Sequence, residues 1–235
     1  MVVKMTFASR VQAVLSLLRT TPSCLRTENR EMIRKLHNRA KADAQGTGNM
    51  PTVQEAAFAQ VLESNGFQYS AEGSPSMPGL YYVYQVNGSQ QSIDFRVLET
   101  NGRGVVRHVD LDLKHTTSDV FFLNDGWFHK DVIYVITWER RTSAPRKTKT
   151  TELVTTIALG QEIPTADEVD AMNELIAVKQ KYNKECKGAG SLCTYVRFAN
   201  RYKCDRFTEE YNEARWRGVQ SLLSSSESSR LASVA

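Results

Sequence analysis

Residues 109–115 read VDLDLKH, with Asp110, Asp112 and Lys114 alternating with Val109, Leu111 and Leu113. Side chains along a strand alternate faces, so a strand here sends the apolar set to a core. The two carboxylates and the ammonium then share the other face. Upstream, in SIDFRVLE, Ile93, Phe95 and Val97 alternate with Asp94 in the same way. The two stretches are joined by Thr100-Asn101-Gly102-Arg103, and Asn-Gly between alternating runs predicts a hairpin. A turn centred near residue 102 places Asp94 opposite about residue 110, with Asp112 as a diagonal neighbour. Asp94, Asp110, Asp112 and Lys114 thus converge on one surface.

Like charges side by side on a hairpin repel. Carboxylates crowd together where a divalent cation sits between them, and Mg²⁺ is held by one or two carboxylates plus waters and phosphate oxygens. A lysine two residues after a carboxylate lies on the same face, about 6–7 Å along the strand. There it can position and deprotonate a water or stabilise charge developing on a phosphate. This is a phosphodiester-cleaving constellation. The bland alternative is a solvated strand face, where Asp and Lys are common.

Asp94 followed by Asp112-Leu113-Lys114 on the next strand resembles the PD-(D/E)XK motif of type II restriction endonucleases and related nucleases. The run DLKHTTSDVFFLNDGW and a preceding helix that carries Glu55, in QEAAFAQVLESNGF, add to the likeness, which covers about residues 52–140. Two departures stand out: Ile93 replaces the proline before Asp94, and Asp112 fills the more usual Glu position. The resemblance implies a restriction-endonuclease-like core. It implies Mg²⁺ bound by Asp94 and Asp112, with the Leu113 carbonyl as a further ligand, and Lys114 placing the attacking water. Glu55 would assist as an additional acid, its alternative being a solvated helix residue. Asp110 and His115 are expected to flank the site. The implied enzyme is a type II site-specific deoxyribonuclease of restriction–modification, acting on double-stranded DNA as a homodimer. A structure-specific or repair nuclease and a non-catalytic DNA-binding module are the alternatives.

These residues need elements to hold them. The expected fold is mixed α/β, a central mixed sheet flanked by helices. Residues 1–50 form an N-terminal helical region, 51–223 the nuclease-like domain and 224–235 a disordered Ser-rich tail. A first helix is expected over 7–20, with Phe7, Val11, Val14, Leu15 and Leu18 as its stripe. A second runs from Thr27, its N-cap, to Ala44. In the third, Val53, Ala57, Val61 and Leu62 share a stripe closed by Asn65-Gly66. Strands follow in LYYVYQV, SIDFRVLE, VVRHVDLDLKH, DVFFL, DVIYVITWE and TELVTTIAL. Thr165 and Glu168 mark a capping box opening a helix over 165–184. TYVRFANRYKC is a further strand, and FTEEYNEARWRGVQSLL the last helix.

The chain has 235 residues, with 30 Lys and Arg against 26 Asp and Glu. A net charge of +4 permits an anionic partner without demanding one, so local clusters matter more. Arg140, Arg141, Arg146, Lys147 and Lys149 form the densest. Arg197, Arg201 and Lys203 belong to a second, in which Tyr195, Phe198 and Tyr202 are expected in the core. Phosphate contacts supply most non-specific affinity; arginine suits bidentate reading of guanine, and the neighbouring Ser and Thr suit phosphate or base. The cysteines at 24, 186, 193 and 204 include no CxxC pair and lie far from the four histidines, so reduced thiols are expected rather than zinc. No apolar run is long enough to span a membrane. The first 27 residues lack acids, a transit-peptide trait, but their helical stripe favours a packed helix and a cytoplasmic protein.

Overall fold

The computed structural model describes residues 5–42, 50–71, 73, 75–86, 93–124, 127–143, 149–186 and 199–231. Helix α1 spans Phe7–Thr20, capped by the Thr6 hydroxyl accepting from the Ser9 N–H, and buries Phe7, Ala8, Val11, Val14, Leu15 and Leu18. Helix α2 spans Arg30–Ala42. Its cap is Asn29, whose Oδ1 accepts from the Met32 N–H at 3.0 Å, rather than the expected Thr27. A 3₁₀ turn over Pro22–Arg26 leaves Thr27 extended and delays the helix.

Helix α3, Val53–Ser64, opens with a full capping box. The Glu55 N–H donates to the Thr52 hydroxyl at 3.1 Å, and the Thr52 N–H to Glu55 Oε2 at 2.5 Å. Its buried face is Gln54, Ala56, Ala57, Phe58, Ala59 and Leu62. The expected stripe is therefore corrected, since Val53 is 39% exposed. Alanines let α3 bury more than one side, between the sheet and the chain around Leu25.

The strands are β1 (Gln68–Tyr69), β2 (Pro78–Tyr84), β3 (Phe95–Asn101), β4 (Val105–Thr116), β5 (Val120–Asn124), β6 (Val132–Ser143), β7 (Lys149–Leu159) and β8 (Ala199–Lys203). Six form one mixed sheet in the order β1-β2-β3-β4-β6-β7, in which β1–β2 and β4–β6 are parallel and the rest antiparallel. Between β4 and β6 the chain passes through β5, which pairs antiparallel with β8 in a separate two-stranded ribbon. The remaining helices are α4, Ala166–Cys186, and α5, Glu209–Leu231. Thr165 and Glu168 exchange both capping-box bonds at the start of α4. Helix α5 continues through Leu231, so residues 224–231 are helical where a disordered tail was expected; 232–235 lie outside the described residues.

Both faces of the sheet are covered. On one, Leu15, Leu18, Leu36, Phe58, Trp216 and Val219 from helices pack on Tyr82, Phe95, Val97, Leu111, Leu113, Val135 and Ile157. On the other, Phe121 and Tyr202 of the ribbon pack with Phe128 and Phe207 over Tyr134, Ile136 and Trp138. Arg206, beyond the ribbon, pairs with Glu168 of α4 at 2.7 Å. The fold is thus mixed α/β, a six-stranded mixed sheet flanked by helices. Among the described residues no helix is long and apolar enough to cross a membrane. Cys24 is half-buried and Cys204 buried, both free thiols, and burial pushes the Cys204 thiol up to about 12. Cys193 lies outside the described residues.

Candidate active site

The β3–β4 hairpin carries the motif, but its register differs from a symmetric Asn-Gly turn. Gly102 adopts φ +83°, which glycine tolerates at no steric cost. The Thr100 hydroxyl both accepts from the Gly102 N–H and donates to the Gly104 carbonyl. Thr100 pairs with Val105 but Glu99 with Arg107, so Val106 is an extra residue on β4. This bulge changes the pairing of the whole hairpin. Arg96 then faces Asp110, and Phe95 faces Leu111. Continued by one residue, the register sets Asp94 against Asp112 rather than near residue 110.

Strand β3 begins at Phe95, so the ladder beside the end of β4 stops there. The Leu113 N–H, left without a strand partner on that edge, donates to Asp94 Oδ2 at 2.8 Å. Lys114 Nζ lies 2.9 Å from Asp112 Oδ1 and 2.8 Å from Oδ2. Only the first contact has hydrogen-bond geometry, so the buried Oδ2 lacks a hydrogen-bond donor. Asp112 is 1% exposed because Tyr134, its partner on β6, belongs to the aromatic layer beneath the ribbon. At Asp112 the polar face of VDLDLKH is therefore covered, while Asp110 and Lys114 stay half-buried.

Glu55 reaches the site from the first turn of α3. Its Oε1 accepts from the Tyr84 hydroxyl at 3.1 Å and its Oε2 from the Thr52 N–H. Each oxygen thus also has a structural partner. Asp110 is occupied elsewhere, gripped by Arg96 through bonds of 2.6 and 2.8 Å.

Burial holds the Asp94 carboxyl up at about 7, helped by the Asp112 charge and a hydrogen bond with it, and opposed by Lys114. Burial also raises Asp112, against the pull of Lys114. Glu55 is raised by burial and by the Asp94 charge. Burial lowers His115, with the Arg26 charge adding to the effect. Three carboxyls with disfavoured charge lie together at one end of the sheet, which is where functional groups concentrate.

A cleft of about 630 Å³ opens over Glu55 and Asp94, lined also by Leu113, Lys114, Arg26 and Phe122, with Asp112 buried behind Lys114. Among the described residues no group of three or more His, Cys, Asp or Glu is spaced as a metal cluster. The donor set at hand is two carboxylates and the backbone at Leu113. Hard oxygen donors fit a Mg²⁺ ion that completes its shell with waters or phosphate.

The basic residues divide. Strand β6 pairs with β4 only as far as Trp138, so its continuation with β7 projects beyond the motif end of β4. Arg140 lies on this arm and grips Glu152 across the strand pair at 2.5 Å. Arg141 and Lys149 pair through their backbones with Thr151 and Ser143. Arg201 lies on β8 with its guanidinium 5.8 Å from the Phe122 ring, and Lys203 is exposed opposite Val120. Arg146, Lys147 and Arg197 lie outside the described residues.

Sequence reasoning missed several lining residues: Arg26, Gln54, Thr137 and Phe122. Gln54 is buried and donates to the Thr137 hydroxyl at 3.4 Å. The available signal was Thr52-Val-Gln-Glu55, a capping-box pattern that fixes the start of α3 and so which residues of its first turn meet the cleft. Phe122 gave no signal, because DVFFL alone does not say which phenylalanine faces out. The chain matches no protein-family model, no curated protein and no solved structure.

Proposed function

We propose that this protein is a Mg²⁺-dependent nuclease that hydrolyses phosphodiester bonds of double-stranded DNA. The observation that carries this reading is the meeting of Asp94, Asp112 and Lys114 at one end of the hairpin, beneath a cleft. Asp94, Asp112 and the Leu113 carbonyl would hold the cation. When bound, Mg²⁺ acts as a Lewis acid on phosphate and makes water a better nucleophile.

The chain's own residues supply the rest. Asp94 and Asp112 orient water by accepting hydrogen bonds from it. Lys114, anchored on Asp112, offers a fixed positive charge where the pentacovalent phosphate gathers negative charge, in a site largely shielded from solvent. Glu55, with its disfavoured charge, is placed to hold a proton beside Asp94. Arg140 and Arg141 on the projecting arm, with Arg201 and Lys203 on the ribbon, are suited to phosphates of a duplex lying across the cleft mouth. The finer reading, drawn from the motif's resemblance to PD-(D/E)XK enzymes, is a restriction-endonuclease-like core working as a site-specific type II enzyme. Two-fold pairing of chains matches the two antiparallel strands of a symmetric DNA site.

The test is incubation of the purified chain with plasmid DNA and Mg²⁺, beside a Lys114→Ala variant. Discrete fragments from the wild type and none from the variant support a site-specific nuclease. A smear supports a nuclease without sequence choice. Cutting by Lys114→Ala at the wild-type rate rejects the assignment. Ca²⁺ is expected to support binding without cleavage, whereas a non-catalytic binding module would bind DNA equally with either metal or none.

A further inference from the structure

One wall of the cleft is unlike its floor. Phe122 lines it and is 51% exposed, while its neighbours Phe121 and Leu123 are buried beneath the ribbon. Alternation along β5 turns Phe122 outward, on the face shared with its ladder partner Arg201. The Arg201 guanidinium lies 5.8 Å from the ring centroid, within cation–π range. From another element, the exposed Val53 at the start of α3 lines the same cleft. Beyond the Arg201 contact, the ring and the aliphatic side chain leave apolar surface in solvent at the lip of a charged cleft. Burying them would stabilise the fold more.

Resting on the nuclease reading, we propose that this wall receives a nucleobase. The nucleotide beside the scissile phosphate is unstacked from the duplex, and its base lies on Phe122, with Arg201 near its phosphate. Every base has a π face, so an aromatic platform accepts any of them, and a guanidinium beside the ring suits the adjoining backbone charge. A fully stacked duplex keeps its base faces covered and cannot use the ring. Lys114 and Asp94 line the same cleft, so a base seated there brings its own phosphate toward the carboxylates. The preferred substrate is DNA with an unpaired or easily unstacked nucleotide at the cut.

The test uses two duplex oligonucleotides that differ at one position, where 5-iodouracil is either paired with adenine or left unpaired. Affinities are measured in Ca²⁺, and ultraviolet cross-links are mapped by mass spectrometry, for wild type, Phe122→Ala and Phe122→Trp. The expected result is roughly tenfold tighter binding of the unpaired DNA by wild type, in line with the cost of removing one base-stacking aromatic. Its cross-link falls on Phe122. Phe122→Ala loses the preference, and Phe122→Trp keeps it. Equal affinity of wild type for the two DNAs overturns the inference, as does a preference that survives in Phe122→Ala. The nuclease reading fails separately, by the absence of Mg²⁺-dependent cleavage of either DNA by wild type, while the binding preference and cross-link remain measurable.

Discussion

The Leu113 N–H donates to Asp94 Oδ2 at 2.8 Å, a bond that replaces the strand partner lost where β3 gives out. Asp94 therefore has two tasks, closing the sheet edge and presenting its carboxylate to the cleft. Different substitutions separate them. Asp94→Asn keeps an oxygen acceptor for Leu113 and removes the charge. It is expected to fold normally and to cut DNA at least a hundredfold more slowly, the scale of losing one electrostatic partner of a transition state. Asp94→Ala also strands the N–H, costing about 1–3 kcal/mol more. Thermal melts and single-turnover cleavage of the two variants distinguish these effects.

The same carboxyl makes stability depend on pH. Its pKa rises from 3.8 in an unperturbed chain to about 7 in the fold. Between those values the native state keeps a proton that the unfolded state has released, so stability falls as pH rises through the window and levels off above it. Asp112 and Glu55, also raised, act in the same direction. Melts in EDTA from pH 4 to 8 are expected to show a steeper decline for wild type than for Asp94→Asn. Mg²⁺ at pH 8 should recover stability in wild type only, because binding the native state alone stabilises it. A wild-type curve parallel to that of Asp94→Asn contradicts this.

What could be read from the sequence follows from how far each signal reaches. The alternation of VDLDLKH and the Asn-Gly turn identify the hairpin, and α1 falls where its stripe puts it. The register depended on Val106, whose bulge arises from hydrogen bonds of the Thr100 hydroxyl inside the turn. Alternation left a solvated face open as the alternative for Asp112, because it says nothing about what covers the second face. The cover comes from Phe121, Tyr202 and Phe207, brought over the sheet from distant stretches of chain. The exposure of Val53 depends likewise on a tertiary cleft, and no local pattern announces it.

Asp110 serves as the internal control for the motif strand. It shares a face with Asp112, yet Arg96 holds both its oxygens. Asp110→Asn is expected to leave cleavage within about twofold while weakening the fold. A double-mutant cycle with Arg96→Gln should give a coupling of about 1 kcal/mol, reasonable for a bidentate, partly buried pair. Loss of cleavage comparable to that in Asp112→Asn would mean that the strand's acids are not divided in this way.

Glu55 is the member whose structural and chemical roles overlap most. Its side chain closes the capping box with Thr52 and receives the Tyr84 hydroxyl, so Glu55→Ala is expected to cost about 1 kcal/mol or more from the lost cap alone. A drop in activity there would be uninformative. Glutamine also completes a capping box, and its oxygen still accepts from either partner, but it cannot exchange a proton or offer a charge. If Glu55 only organises α3, Glu55→Gln cuts DNA at the wild-type rate and melts within about 0.5 kcal/mol of wild type. The charge of Asp94 already bears on Glu55, and the two line one cleft. The expected outcome is therefore a stable Glu55→Gln protein with cleavage reduced about a hundredfold or more, the low end of what a positioned acid contributes. The paired measurement of melting and rate decides between the roles.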